Sequence, residues 1–170
     1  MIVIVEGIDR VGKTTLVKKL VEKGFYELDL SHLKVSNNLA PEVIELIQAE
    51  KNLTIVACLR LMKEKNIVID RFHVSEYVYG INRGYTARSS FTVDKLLKEI
   101  GALLVYVYPI DINVSSKEHG DDLRKDEIKF KHFIYFYNTL PLICCNFSHI
   151  KDHIKEIVER IWRKQNVICS

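Results

Sequence analysis

Gly7-Ile8-Asp9-Arg10-Val11-Gly12-Lys13-Thr14 follows directly on the apolar stretch Ile2 to Val5 and satisfies G-x-x-x-x-G-K-[ST] at every fixed position. Glycines in such a loop let successive backbone N–H groups turn inward around anionic oxygen. The helix that begins near Lys13 aims its positive end at the same oxygens. In that pattern Lys13 reaches the β- and γ-phosphates as a point charge, and the Thr14 hydroxyl is placed to hold the Mg²⁺ that bridges them. The pattern has physical meaning only between a strand and a helix. Both are legible: the apolar run precedes it, and Leu16, Leu20 and Val21 fall on one side of a helix after it. Gly7, Asp9, Arg10, Val11, Gly12, Lys13, Thr14 and Thr15 are therefore the expected contacts of a nucleoside triphosphate.

Outward from this loop, short apolar runs bounded by turns alternate with helical periodicity, the pattern of an α/β protein with a parallel sheet. The strand candidates are Ile2 to Val5, Phe25 to Leu28, Ile67 to Ile69, Leu103 to Tyr108 and Leu142 to Asn146. Val43 to Ala49, Leu53 to Lys65, Val74 to Ile81 and Val93 to Glu99 read as helices, with Pro41 suited to a first turn. Leu123, Phe130, Phe133, Ile134 and Tyr137 make one stripe between Asp121 and Leu140. Ile150, Ile154, Ile157, Val158 and Ile161 make another, so both segments are core-facing helices.

The 170 residues suit one domain, with no linker, repeat or low-complexity tract. Twenty-five basic residues against 22 acidic give a net charge of only +3, which argues against a dedicated nucleic-acid protein. Met1 to Val5 is too short for a signal peptide or membrane span and reads as a buried strand. Cys58, Cys144, Cys145 and Cys169 lack C-x-x-C spacing and fit buried or free thiols in a reducing cytoplasm.

In parallel sheets ligands bind beyond the carboxyl ends of the strands, which directs attention to Asp70 and Arg71 after Ile67-Val68-Ile69. The carboxylate suits a magnesium site, directly or through a water, and the guanidinium suits bidentate phosphate binding. A structural ion pair is the alternative. Arg60 is the other informative cation, because Leu53 to Met62 is otherwise apolar or cysteine except for Thr54. It requires an anion or a route to solvent. An acceptor phosphate, a protein carboxylate and snorkelling all answer that need.

Glu6 to Thr15 together with Ile69-Asp70-Arg71-Phe72-His73-Val74-Ser75-Glu76-Tyr77-Val78-Tyr79 resembles the thymidylate kinase family of deoxynucleoside monophosphate kinases. The resemblance implies a P-loop NTPase three-layer α/β sandwich with a five-stranded parallel sheet flanked by helices. It also implies transfer of a γ-phosphoryl group from ATP, with Mg²⁺, to a deoxynucleoside monophosphate, and a homodimer. By position, Asp9 resembles the loop acid near the acceptor's 3′-hydroxyl and Arg10 the loop arginine on the transferring phosphoryl oxygens. Arg71 resembles an acceptor-phosphate ligand and Arg60 the helix arginine that holds the acceptor. Tyr79 takes the aromatic position near the sugar, Phe72 the base pocket, and Glu76 stands where an asparagine is often found beside the base. The stretch from Leu28 to Asn52 carries hardly any of the resemblance.

Residues 115–126, polar and charged, are expected to form a lid that brings Arg124 or Lys117 over ATP; a plain solvated loop is the alternative. Two other acceptors stay open. A deoxynucleoside kinase would use Asp70 as base toward a 5′-hydroxyl, and a kinase of modified bases or ends in DNA would use Tyr77, Tyr79, Arg83, Tyr85 and Arg88 as a basic aromatic groove. Three arginines, Arg10, Arg60 and Arg71, favour the monophosphate. A GTPase lacks support, since neither N-K-x-D nor D-x-x-G occurs in place.

Overall fold

The computed structural model describes residues 1–9, 11–30, 33, 35, 38–108, 120–146 and 158–159. Five parallel strands form one sheet in the order β2-β3-β1-β4-β5. They are β1 (Ile2–Glu6), β2 (Tyr26–Glu27), β3 (Ile67–Asp70), β4 (Leu103–Tyr108) and β5 (Leu142–Asn146). The helices are α1 (Lys13–Glu22), α2 (Pro41–Leu61), α3 (His73–Asn82), α4 (Ser89–Glu99) and α5 (Gly120–Phe136).

β1 lies at the centre, and every residue from Ile2 to Glu6 is buried. A strand covered on both faces has no polar side to present, which is why its sequence is a continuous apolar run and not an alternation. Its register sets Val3 between Val68 and Leu103, and Val5 opposite Asp70. The phosphate-binding loop and the Asp70-Arg71 pair therefore leave the same edge of the sheet on adjacent strands. α1 packs on β1, β2 and β3 through Leu16, Val17 and Leu20. Val21, expected on that face, is 41% exposed.

Two expected helices, Val43 to Ala49 and Leu53 to Lys65, are one helix of 21 residues that starts with Pro41 in its first turn. Nothing in Glu50-Lys51-Asn52 breaks a helix: Glu and Lys favour it, and Asn52 is held by the Gln48 amide one turn earlier at 3.4 Å. β2 is shorter than expected, with both residues exposed at the sheet edge. On α5 Leu123, Phe130, Phe133 and Ile134 are buried, while Tyr137 lies past the helix end and is 42% exposed. The expected C-terminal helix lies outside the described residues except for Val158, which is buried, and Glu159.

Candidate active site

Loop closure at the end of β1 depends on Gly7. Its φ is +143°, and a Cβ there would sit 2.1 Å from the Val107 carbonyl oxygen at the end of β4, so only glycine admits this approach. Gly12, at φ 84°, is the left-handed residue from which α1 departs, and Val11 turns its side chain into the core. Lys13 opens the helix, is only 6% exposed, and donates from Nζ to the Ile8 carbonyl at 2.5 Å. Burial, assisted by the nearby Arg71 charge, pushes its ammonium down to about 8 against the opposing pull of Asp70, Asp9 and Glu6.

The Thr14 hydroxyl donates to Asp70 Oδ2 at 3.2 Å. Asp70 Oδ1 is buried and has no hydrogen-bond partner. A hydroxyl and a carboxylate side by side, with one carboxylate oxygen unspent, fit a magnesium ion that takes its remaining ligands from phosphate and water. No group of three His, Cys, Asp or Glu suited to a metal occurs among the described residues, so the protein alone offers no closed cage.

Arg71 adopts φ 69°, a left-handed conformation that costs a non-glycine residue about 1–3 kcal/mol. Its N–H donates to the Val5 carbonyl at 2.9 Å. The next residues are fastened by Glu6, which is fully buried at the end of β1. Its carboxylate accepts the N–H groups of Phe72, Val74 and Ser75 at 2.8, 3.1 and 3.2 Å and the Ser75 hydroxyl at 2.5 Å. Glu6 thus caps the start of α3 with a full negative charge and sews the two motif blocks together. So anchored, Arg71 donates to the Tyr79 hydroxyl at 2.6 Å, lies 5.2 Å from that ring's centroid, and bonds the Asp9 carboxylate.

Two cavities share Asp70 and Arg71. One, of about 390 Å³, is enclosed by Asp9, Gly12, Lys13, Thr14 and Thr15. The other, of about 630 Å³, opens between α2 and α3 and is lined on the protein side by Gln48, Lys51, Asn52, Phe72, Glu76 and Arg83, among others. A phosphate chain in the first would point its end at Asp70 and Arg71, the residues where the second begins.

Gly12, Asp9, Lys13, Thr14, Thr15, Asp70, Arg71, Phe72 and Glu76 are thus brought together, with Tyr79 behind Arg71. Arg10 lies outside the described residues, as does the expected lid up to residue 119; from Gly120 onward that segment is the first turns of α5. Arg124 is exposed on α5 and borders neither cavity.

Arg60 requires a correction. α2 runs back toward the amino edge of the sheet, so its last turn lies away from the phosphate-binding loop. There Arg60 pairs with Glu99 at 2.9 Å, with both side chains more than half exposed. A protein carboxylate is its anion. Arg60→Ala is accordingly expected to leave acceptor KM within about twofold of wild type and stability within about 1 kcal/mol, as for exposed ion pairs; a tenfold rise in acceptor KM would return Arg60 to the site. The tyrosine groove also falls away: Tyr77 and Tyr85 are 9% and 4% exposed, and Tyr79 is spent on Arg71.

Sequence reasoning missed Glu6 as a clamp and Gln48, Lys51, Asn52 and Arg83 as cavity walls. For the amides a signal existed, since two polar residues one turn apart on the buried side of a helix need a reason.

No family model matches this sequence, and no curated protein matches it significantly. Solved structures do. The YorR protein from Bacillus subtilis, solved in complex with phosphorylated GDP, is 17% identical over 98% of each chain with a TM-score of 0.65. Thymidylate kinase from Ehrlichia chaffeensis is 16% identical over 95% of this chain and 98% of its own, with a TM-score of 0.55. Deoxyadenosine kinase from M. mycoides, with products dCMP and dCDP, is 15% identical over 99% and 100%, with a TM-score of 0.50. At these identities the likeness is one of fold. The chain shares with these structures the α/β fold built on a five-stranded parallel sheet that its motif blocks imply.

Proposed function

We propose that the chain transfers the γ-phosphoryl group of Mg-ATP to the 5′-phosphate of a deoxynucleoside monophosphate. The observation that carries this reading is the pair of contiguous cavities sharing Asp70 and Arg71, the first walled by the loop after β1 and the second lined by Lys51, Arg71 and Arg83 together with the carboxylates of Glu27, Asp29, Asp70 and Glu76. The loop N–H groups and Lys13 bind and orient the ATP phosphates in the first. Thr14 and Asp70 would hold the magnesium ion, which neutralises charge on the bound phosphates. Arg71, fixed by Glu6, Asp9 and Tyr79, lies where the acceptor phosphate would meet the γ-phosphoryl group, and Arg10 is assigned the same task from the loop. Catalysis is then positional and electrostatic, and the ionised acceptor needs no general base.

With Arg60 withdrawn, the charge that favours an anionic acceptor comes from Arg71, Lys51 and Arg83, which line the second cavity. A coupled ADP-release assay with Mg-ATP tests the reading against deoxynucleosides, deoxynucleoside and ribonucleoside monophosphates, and short single- and double-stranded DNA. Turnover of monophosphates is expected. Turnover of nucleosides alone would recast Asp70 as a base, and turnover of DNA alone would discard the small-molecule acceptor.

The whole chain is taken as one kinase unit with a lid over 115–126 that brings Arg124 toward ATP. Among the described residues no helix is long and apolar enough to cross a membrane, and the thiols of Cys58 and Cys144 suit a cytoplasmic setting. Val43, Leu46, Leu53 and Leu61, exposed along α2, support the homodimer, which sedimentation of the purified chain tests.

A further inference from the structure

The cavity between α2 and α3 presents an uneven set of polar groups. Glu76, on α3, faces it and accepts the Tyr85 hydroxyl. Burial pushes its carboxyl above the usual range, against the pull of the Tyr85 hydroxyl and of the Lys51 and Arg83 charges. On the α2 side, Gln48 and Asn52 are 6% and 1% exposed, and the Gln48 amide is spent on Asn52 Oδ1. That leaves Asn52 Nδ2 as a buried donor with no partner. Lys51, one turn from Gln48, and Arg83, just past α3, lie on the same walls, and the carboxylates of Glu27 and Asp29 line the cavity as well.

A planar ligand set between Glu76 and Asn52 must offer donors to the Glu76 carboxyl and acceptors to the amide and cations beside it. Thymine offers a single N–H between two carbonyl oxygens, both of which a carboxylate repels. Adenine and cytosine place an unprotonated ring nitrogen beside the amino group, so the second carboxylate oxygen meets a lone pair. Guanine alone among the common bases sets two donors side by side, N1–H and the 2-amino group, and carries acceptors at O6 and N7 that suit Lys, Arg and amide N–H.

We infer that the acceptor site reads guanine: Glu76 accepts from N1–H and the 2-amino group, and Lys51, Arg83 and the Asn52 amide serve O6 and N7. This rests on the monophosphate kinase reading and names its substrate class. Glu76 is then the specificity-determining residue, and Tyr85 orients it.

The test is kcat/KM for dGMP, dIMP, dAMP, dCMP and dTMP with saturating Mg-ATP, alongside calorimetric binding of dGMP and dTMP, which needs no turnover. dGMP is expected to lead, and dIMP, which lacks only the 2-amino group, to fall behind by on the order of 10²-fold, because Glu76 is left with an unmet acceptor. Glu76→Gln should cost dGMP on the order of 10²-fold and bring dGMP and dIMP within about threefold of each other. Should that variant fail to fold, Arg83→Gln, at an exposed position, should raise KM for dGMP by roughly tenfold with KM for ATP unchanged. Preference for dTMP, dCMP or dAMP overturns the guanine assignment and leaves the kinase reading standing. Absence of turnover with every monophosphate removes the kinase reading. In that event dGMP binding at least tenfold tighter than dTMP sustains the base assignment, and equal binding overturns it.

Discussion

Lys13→Met is expected to lower kcat/KM by on the order of 10³-fold while the protein melts at or above the wild-type temperature at pH 7. On the proposed reading the loss follows from removing the ammonium that the loop would direct at the β- and γ-phosphates. The retained stability follows from burial: Lys13 is 6% exposed, and its folded pKa lies near 8 against an ordinary 10.5. Between those values the unfolded chain holds more protons at this residue than the folded one. Its contribution to stability therefore rises with pH from about 8 to 10.5, and the buried ammonium is a cost below that window. Methionine has no such slope, so the variant's thermal advantage should shrink as pH climbs from 8 toward 10. A denaturation series of both proteins across that range, paired with the coupled assay at pH 7, checks the two halves. Wild-type turnover in a folded variant would remove the loop from catalysis, and an advantage that does not change with pH would show that Lys13 is not buried as a charge.

Glu6→Ala carries the second large effect, this time on the fold. The carboxylate accepts three backbone N–H groups and one hydroxyl, all in a fully buried place. Its removal strands those donors together, and a cost of about 3–5 kcal/mol is expected, read as a lower midpoint in denaturant. Arg71 would lose the anchor that holds its left-handed turn, so acceptor KM should rise more than ATP KM in whatever fraction folds. A midpoint unchanged from wild type would mean that the start of α3 is secured by its packing alone.

Much of the fold was legible because its signals are local and redundant. The runs at Ile2, Ile67 and Leu103 are apolar throughout, since those strands are buried on both faces, and the loop motif fixes where β1 ends and α1 begins. The phosphate side of the site was legible for the same reason: consecutive residues build it. The second cavity is assembled from α2, α3, the end of β3 and the stretch that follows β2, elements far apart in sequence. Arg60 drew attention as a lone cation in an apolar helix, yet the sequence does not reveal which end of that helix meets the sheet's carboxyl edge. Lys51, two and a half turns earlier, has the same chemistry and the opposite placement. Glu6 was read only as the first residue of the motif block Glu6 to Thr15, because nothing local announces that it will cap a helix that starts at His73.

The position of β1 also governs how the molecule comes into being. Its two partners are strands that begin at Ile67 and Leu103, so the loop's backbone geometry, fixed by Gly7 against Val107, cannot exist until the chain has closed on itself over both distances. Local helices form quickly, but a parallel pairing of this separation bears its loop-closure entropy before any contact offsets it. Nucleotide affinity should therefore emerge in the last kinetic phase of refolding, after most helical signal has returned, and Mg-ATP should slow unfolding more than it speeds folding.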